Sequence, residues 1–207
     1  MPNLDNKSDE RLLWLKFLNE DDQVLSLIYL QYSNSLFDYG CRFTKDRDLV
    51  KDCIQEVFCN LLRTRKNLSE TDNVKFYLLK SLKREILKEI QKSGKKLVSI
   101  NDQDYSFELL LRSTVEDQLN ELNEEKQLAL VEALELLTER QKEAIYLRFN
   151  RGLEYDEISV ILNLNYQSAR ALIHRAIEKL REVIHIQEKK ITQVLFTILT
   201  RPVKPVF

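Results

Sequence analysis

Glycine and proline are almost missing from this chain, with three of each in 207 residues. So few turn formers exclude a hairpin-rich fold, and the abundance of Leu, Glu, Lys and Arg points to long helices instead. Three cysteines, Cys41, Cys53 and Cys59, are an odd number without CxxC or Cys/His spacing. That pattern argues against both a disulfide framework and a zinc site. Only two histidines occur, His174 and His185, and Gly40, Gly94 and Gly152 lie too far apart to form a phosphate-binding loop. No nucleophile motif and no pair of carboxylates stands out, so no catalytic group, metal or cofactor is expected. A long hydrophobic run is also missing. The most apolar stretch, Val194 to Leu199, falls far short of the roughly 20 residues that a membrane-spanning helix needs. The N-terminus is polar and shows no signal peptide, so a reduced cytoplasm is the expected compartment.

What remains is globular and charged, with 43% hydrophobic and 31% charged residues. The formal net charge of −1 hides an alternation. Residues 1–62 carry a net −4, 63–100 a net +7, 101–139 a net −9 and 140–190 a net +3. Basic blocks can meet phosphates, whereas the acidic block between them cannot. Hydrophobic periodicity predicts helices near 8–19, 22–43, 46–64, 73–93, 114–137, 138–150, 155–162 and 165–185. Thr138 with Gln141 has the spacing of a capping box, as does Thr114 with Asp117, and Gly94 and Gly152 stand where helices should stop. The stretch from Lys95 to Ser113 has weak periodicity and turn-prone residues, and it reads as a linker. The fold class expected is all-α, with an N-terminal four-helix domain, an acidic linker and a C-terminal helix-turn-helix domain.

The strongest local pattern lies in residues 138–182. A short helix directs Tyr155, Ile158, Ile161 and Leu162 inward. Asn163 then suits a left-handed helix end, and Asn165 suits the cap of a longer helix. In that helix Ala169, Leu172, Ile173, Ala176, Ile177 and Leu180 form an apolar stripe. Gln167, Arg170, Ala171, His174 and, on one flank, Arg175 lie opposite, where side chains can reach base edges or phosphates. A helical hairpin with a merely solvated polar face is the weaker reading, because length, turn and cap together match a DNA-reading unit.

The helix from Asp46 to Thr64 sets an apolar face (Leu49, Val50, Cys53, Ile54, Val57, Phe58, Leu61 and Leu62) against Asp52, Gln55, Glu56, Cys59 and Arg63. The polar strip is either a solvated face or a docking surface for a basic partner. In the next helix Lys80, Arg84, Lys88 and Lys92 recur every four residues, with Leu79, Leu82, Ile86 and Ile90 opposite. Like charges at that spacing disfavour an isolated helix by roughly 0.2–0.5 kcal/mol per pair. Glu85 and Glu89 lie off the ridge and relieve it only in part, so a nucleic-acid phosphate is the favoured counterpart. Phe76 and Tyr77 open the same helix. Aromatics beside a basic ridge suit stacking on unpaired bases; Phe76 reads first as core, and Tyr77 is open.

Taken together, these residues resemble the extracytoplasmic-function group of bacterial sigma factors over about residues 8–185. Asp52-Cys53-Ile54-Gln55-Glu56-Val57-Phe58 looks like that family's polymerase-binding motif. The C-terminal module is similar in Leu137-Thr138 with Gln141, in Gly152-Leu153-Glu154-Tyr155-Asp156-Glu157-Ile158, and in Arg175-Ala176 with Leu180. The resemblance implies four segments. Residues 1–95 would bind core RNA polymerase and recognise and melt the −10 element, and 96–130 would be an acidic linker. Residues 131–185 would read the −35 element, and 186–207 form a tail of unknown role. It further implies that Asp52, Gln55, Glu56 and Phe58 dock on the β′ clamp helices of the polymerase, with the β flap as a second contact. Tyr77, Lys80, Lys83, Arg84 and Lys88 would serve the −10 element, and Gln167, Ser168, Arg170, Ala171, His174 and Arg175 the −35 element. Promoter DNA and an anti-sigma factor are the other partners implied, with no membrane insertion. Tyr77 and Arg84 stand where the family often has Trp and Asn, Gln91 where it often has Arg, and Gln167-Ser168-Ala169 where it often has Gly-Thr-Val. The role survives those departures, but a promoter preference does not transfer. A dimeric helix-turn-helix repressor or activator is the rival class, although it leaves the ridge at 80–92 without a purpose. An enzyme is the less favoured rival.

Overall fold

Short polar residues begin two helices of the first half. Asp46 Oδ1 accepts a hydrogen bond from the Leu49 N–H at 3.0 Å, and Asn73 Oδ1 accepts one from the Phe76 N–H at 2.9 Å. Each satisfies a first-turn donor that has no partner inside its own helix. The computed structural model describes residues 7–19, 22–93, 134 and 136–184. Every element among them is helical, and the fold is all-α. The chain divides into two units, Met1–Ser99 and Ile100–Phe207.

The first unit is a four-helix domain of α1 (Lys7–Leu18), α2 (Asp22–Gly40), α3 (Arg47–Thr64) and α4 (Val74–Lys92), with a short 3-10 turn at Arg65–Asn67. The apolar stripes of α3 and α4 close on each other and on α2: Val50, Cys53, Ile54, Val57, Phe58 and Leu61 are buried, as are Leu78, Leu79, Leu82, Ile86 and Ile90. Leu62, placed on the apolar face by its spacing, is instead exposed. The expected helix at 22–43 ends at Gly40, where Arg42 and Phe43 donate to carbonyls three residues back. A side chain at Gly40 would place its Cβ 2.5 Å from Val50 Cγ1 and 3.1 Å from Ile86 Cδ1. Glycine therefore permits the close approach of three helices.

Helix α1 is tied down by polar contacts as well as by packing. Trp14 is fully buried and its indole N–H donates to the Ser69 carbonyl at 3.0 Å. Buried Glu10 accepts from the Tyr32 hydroxyl at 2.8 Å and from the Val74 N–H at 2.9 Å, so a side chain of α1 caps the start of α4. Glu10→Ala strips both buried donors of this acceptor, and each such loss costs about 1–3 kcal/mol. A destabilisation of roughly 2–4 kcal/mol is expected, read as a lower urea midpoint with an unchanged m-value. A shift below about 1 kcal/mol would mean that water replaces the carboxylate at both donors.

The second unit contains α5 (Glu139–Ile145), α6 (Tyr155–Ile161) and α7 (Tyr166–Ile184). Thr138 and Gln141 form the expected capping box. The helix expected over 138–150 changes character at Tyr146, where a π-helical turn runs to Asn150. The Arg151 N–H reaches the Tyr146 carbonyl at 3.1 Å, and the Arg151 guanidinium folds back onto the Tyr146 hydroxyl and ring. Gly152 follows at φ +69, a left-handed conformation that side chains resist. The expected linker over 95–113, the acidic segment 96–130, most of the helix at 114–137 with its Thr114–Asp117 cap, the stop at Gly94 and the tail 186–207 lie outside the described residues.

Candidate nucleic-acid interface

The turn between α6 and α7 fixes the longer helix. Asn163 adopts φ 51, and the Ser168 N–H donates to Asn165 Oδ1 at 2.7 Å, so one asparagine ends α6 and the other caps α7. Arg140 reaches across to the Leu162 carbonyl at 2.8 Å, and the Leu164 N–H binds the Ser159 carbonyl at 2.8 Å. Ala169, Ile173, Ala176 and Leu180 are buried, and α7 packs against both α5 and α6. On the opposite face Gln167, Arg170, Ala171, His174 and Arg175 are all exposed. Ser168 is half-buried on the flank rather than at the centre of that face. Tyr155 was expected to point inward with Ile158, Ile161 and Leu162. Those three are buried, whereas Tyr155 is half-buried, with Arg148 4.8 Å from its ring centroid. Tyr155 stands at the first position of a short helix, where a side chain projects past the packed layer.

Sequence reasoning passed over two features of this face. Tyr166, 46% exposed, opens α7 and meets the Tyr155 ring edge-on at 6.1 Å. Glu178 is exposed on the outward side of α7 one turn beyond His174, with 3.3 Å between His174 Nδ1 and Glu178 Oε1. The i,i+4 spacing of these two was a visible signal for the contact.

The basic ridge of α4 splits in three dimensions. Lys80 and Arg84 are exposed, with the Lys80 ammonium 5.8 Å from the Phe76 ring centroid. Lys83 is half-buried, its ammonium 5.5 Å from the Phe43 ring centroid. Tyr77 is half-buried and its ring lies 5.2 Å from that of Trp14. Phe76, read first as core, is only half-buried. Lys88 has different company from the rest of the ridge. Its ammonium pairs with Glu85 at 2.7 Å and lines a groove shared with Asp48, Asp52, Glu56 and Glu89. The hydrogen bond to Glu85 is the main cause of a raised Lys88 pKa. Lys92 pairs with Glu89 at 2.7 Å, which lowers the Glu89 pKa. These two i,i+3 pairs relieve the charge of the ridge more fully than its spacing suggested.

The polar strip of α3 is built as its periodicity predicts, and one residue of the docking set that the resemblance implied, Phe58, is core. Asp52 and Gln55 are exposed, and Glu56 is half-buried and bound to Arg63 at 2.6 Å. Phe58 is 6% exposed and its ring meets Tyr29 edge-on at 5.0 Å, so it joins α3 to α2 and presents little surface to a partner. The Cys53 thiol behind the strip is pushed up to about 11, first by burial and then by the nearby Glu85, Glu89 and Asp52 carboxylates. Such a thiol is almost wholly protonated near neutrality and is a poor nucleophile. Among the described residues no group of three His, Cys, Asp or Glu side chains is placed to hold a metal ion, and no helix is long and apolar enough to cross a membrane.

Comparison with known proteins matches two family models to the two halves of the chain. Sigma-70 region 2 matches residues 28–96, and Sigma-70, region 4 matches residues 127–180. The ECF RNA polymerase sigma factor SigM of Bacillus subtilis (strain 168) is 26% identical over 156 residues, 74% of this chain and 91% of SigM. Among solved structures, CnrH in complex with the cytosolic domain of CnrY aligns with a TM-score of 0.52 at 13% identity, over 85% of this chain and 97% of CnrH. The sigma factor RpoE, crystallised with the anti-sigma factor NepR from Bartonella quintana, aligns with a TM-score of 0.50 at 18% identity, over 79% of this chain and 98% of RpoE. At those identities the structural matches speak for the fold.

Proposed function

The chain belongs to the extracytoplasmic-function group of the sigma-70 family and is an RNA polymerase sigma factor, and from that premise we propose how its residues divide the work. Residues 1–95 bind core polymerase and recognise and melt the −10 element; residues 131–185 read the −35 element; residues 96–130 link them. Asp52, Gln55 and Glu56 dock on the β′ clamp helices. Lys80 and Arg84 hold −10 phosphates, while the half-buried Tyr77, braced by Trp14, stacks on an unpaired base. A cytoplasmic location follows from the place of transcription, and the chain itself catalyses nothing. An anti-sigma factor is the natural antagonist, by analogy with the complex of RpoE with NepR. The repressor alternative is set aside by the region 2 match, which a lone helix-turn-helix protein would not carry.

The observation that carries the −35 assignment is the two-faced α7: an apolar stripe with Ala169, Ile173, Ala176 and Leu180 buried and Leu172 and Ile177 half-buried on one side, and five exposed polar or small residues on the other. A helix capped and backed in this way can lie in the major groove, with its N-terminal residues nearest the bases. Gln167 can pair with both edge groups of adenine, a contact worth roughly 1–3 kcal/mol of discrimination. Arg175 lies on the flank, within reach of phosphates. Gln167→Ala is therefore expected to relax preference at one −35 position, and Arg175→Ala to weaken all promoters nearly alike. Transcription from a promoter library randomised across the −35 element distinguishes them. Unchanged preference in Gln167→Ala removes that residue from base readout, and a preference shifted by Arg175→Ala instead rotates the face.

A further inference from the structure

We infer that Phe43, in the turn between α2 and α3, and Lys83 of α4 form a second stacking place for an unpaired base, so that the melted −10 strand continues from α4 onto that turn. The inference rests on the reading of α4 as the −10 helix and extends it to a segment that neither periodicity nor motif gave a role. Residues 1–62 carry a net −4, yet residues 42–47 hold Arg42, Lys45 and Arg47 against one acid, Asp46. The Asp46 carboxylate caps α3 through the Leu49 N–H. The turn is fixed from within: the Phe43 N–H donates to the Gly40 carbonyl at 3.0 Å, and the Asp46 N–H donates to Oγ1 of the buried Thr44 at 3.1 Å. The Phe43 ring meets the ring of the fully buried Tyr39 edge-on, with centroids 5.1 Å apart and planes at 87°. The core therefore holds the ring from one side, while Phe43 itself is only half-buried.

The ring stands where a nucleotide can use it. The Lys83 ammonium lies 5.5 Å from the Phe43 centroid, much as the Lys80 ammonium lies 5.8 Å from the Phe76 centroid. Phe76, Lys80 and Lys83 follow one another at i, i+4 and i+7, so they share a side of α4. From Phe76 to Lys83 that side runs for about 10 Å along the helix axis. Two aromatic–lysine pairs thus line it. Capture of a single strand needs a π face for the base and a cation close by for the phosphate, and Phe43 with Lys83 supplies both. Glu85 and Glu89 lie on the other side of α4, where they line the acidic groove toward α3. The competing account is a cation–π pair that only steadies the surface. A leucine at position 43 separates the two, because it fills the space but offers no π face.

The test uses holoenzyme, assembled from core polymerase and the full chain, and a single-stranded oligonucleotide spanning the −10 element. Phe43→Leu should bind core polymerase as wild type does and lower affinity for the oligonucleotide by about fivefold or more, the loss of one stacked base. Its dependence on salt should stay the same, since no charge is removed. Phe43→Tyr, which keeps the π face, should retain wild-type affinity. Lys83→Ala should lower the slope of log affinity against log salt by about 0.7. A purely structural role would give Phe43→Leu a loss of core binding alongside the loss of oligonucleotide binding, and that result would overturn the inference. Equal losses in Phe43→Leu and Phe43→Tyr would overturn it too. So would wild-type affinity in Phe43→Leu, beside a variant with Lys80→Ala and Arg84→Ala that has lost affinity. Wild-type affinity in that double variant would overturn the reading of α4, and the inference with it.

Discussion

Replacing both Asp52 and Glu56 with lysine is expected to weaken binding to core RNA polymerase by roughly 2–5 kcal/mol, about 30-fold or more, while leaving the fold in place. The two carboxylates lie on the outward strip of α3, on the opposite side from the buried Val50, Ile54, Val57 and Leu61. Reversing them removes two attractions for a basic partner and installs two repulsions, yet changes nothing in the apolar packing. Surface changes of this kind move stability by about 0.5 kcal/mol or less. Glu56 also releases Arg63, its partner at 2.6 Å in the free protein, and with side chains 61% and 41% exposed that pair is screened by solvent, so its loss has little weight. The measurement is a titration of labelled core polymerase with each variant, alongside a thermal melt of the variant alone. Wild-type affinity in the double variant would contradict the docking assignment.

The second large effect concerns the ridge of α4, where the structure separates side chains that the sequence had grouped. Lys80→Ala with Arg84→Ala should reduce open-complex formation and flatten the dependence of log affinity on log salt. Each lost phosphate contact lowers that slope by about 0.9 on duplex DNA or about 0.7 on a single strand, so the pair should remove roughly 1.4–1.8. Lys88→Ala should change the slope much less, because Lys88 pairs with Glu85 at the edge of an acidic groove. Promoter binding measured across a salt series tests all three positions at once. Equal slopes for wild type and the double variant would return Lys80 and Arg84 to a solvated face. A full unit lost in Lys88→Ala would show that its pair with Glu85 opens to meet phosphate.

Local signals carried the described part of the C-terminal unit. The capping box of Thr138 and Gln141, the left-handed Asn163, the cap at Asn165 and the stop at Gly152 each depend on a few neighbouring residues, so they are legible in a short stretch of chain. The two-faced α7 is legible for the same reason, since a 3.6-residue period fixes which residues share a side. What escaped depends on the approach of separate helices. Phe58 is no such case: its spacing placed it on the apolar face and it is buried there against Tyr29, and only the motif resemblance gave it a docking role. Lys88 continues the i+4 series of Lys80 and Arg84, yet the series drifts around the helix until Lys88 meets the acids between α3 and α4. Gly40 gives no local sign that Val50 and Ile86 will press against it.

The most direct test of the whole account is transcription from a genomic library by purified core polymerase, with and without this chain, beside a mobility-shift assay of the chain alone on the same DNA. The account predicts initiation at a discrete set of start sites only when the chain is present, each preceded by shared −35 and −10 sequences. It also predicts little sequence-specific binding without polymerase. Start sites unchanged by the chain, or tight specific binding to duplex promoter DNA by the chain alone, would contradict it.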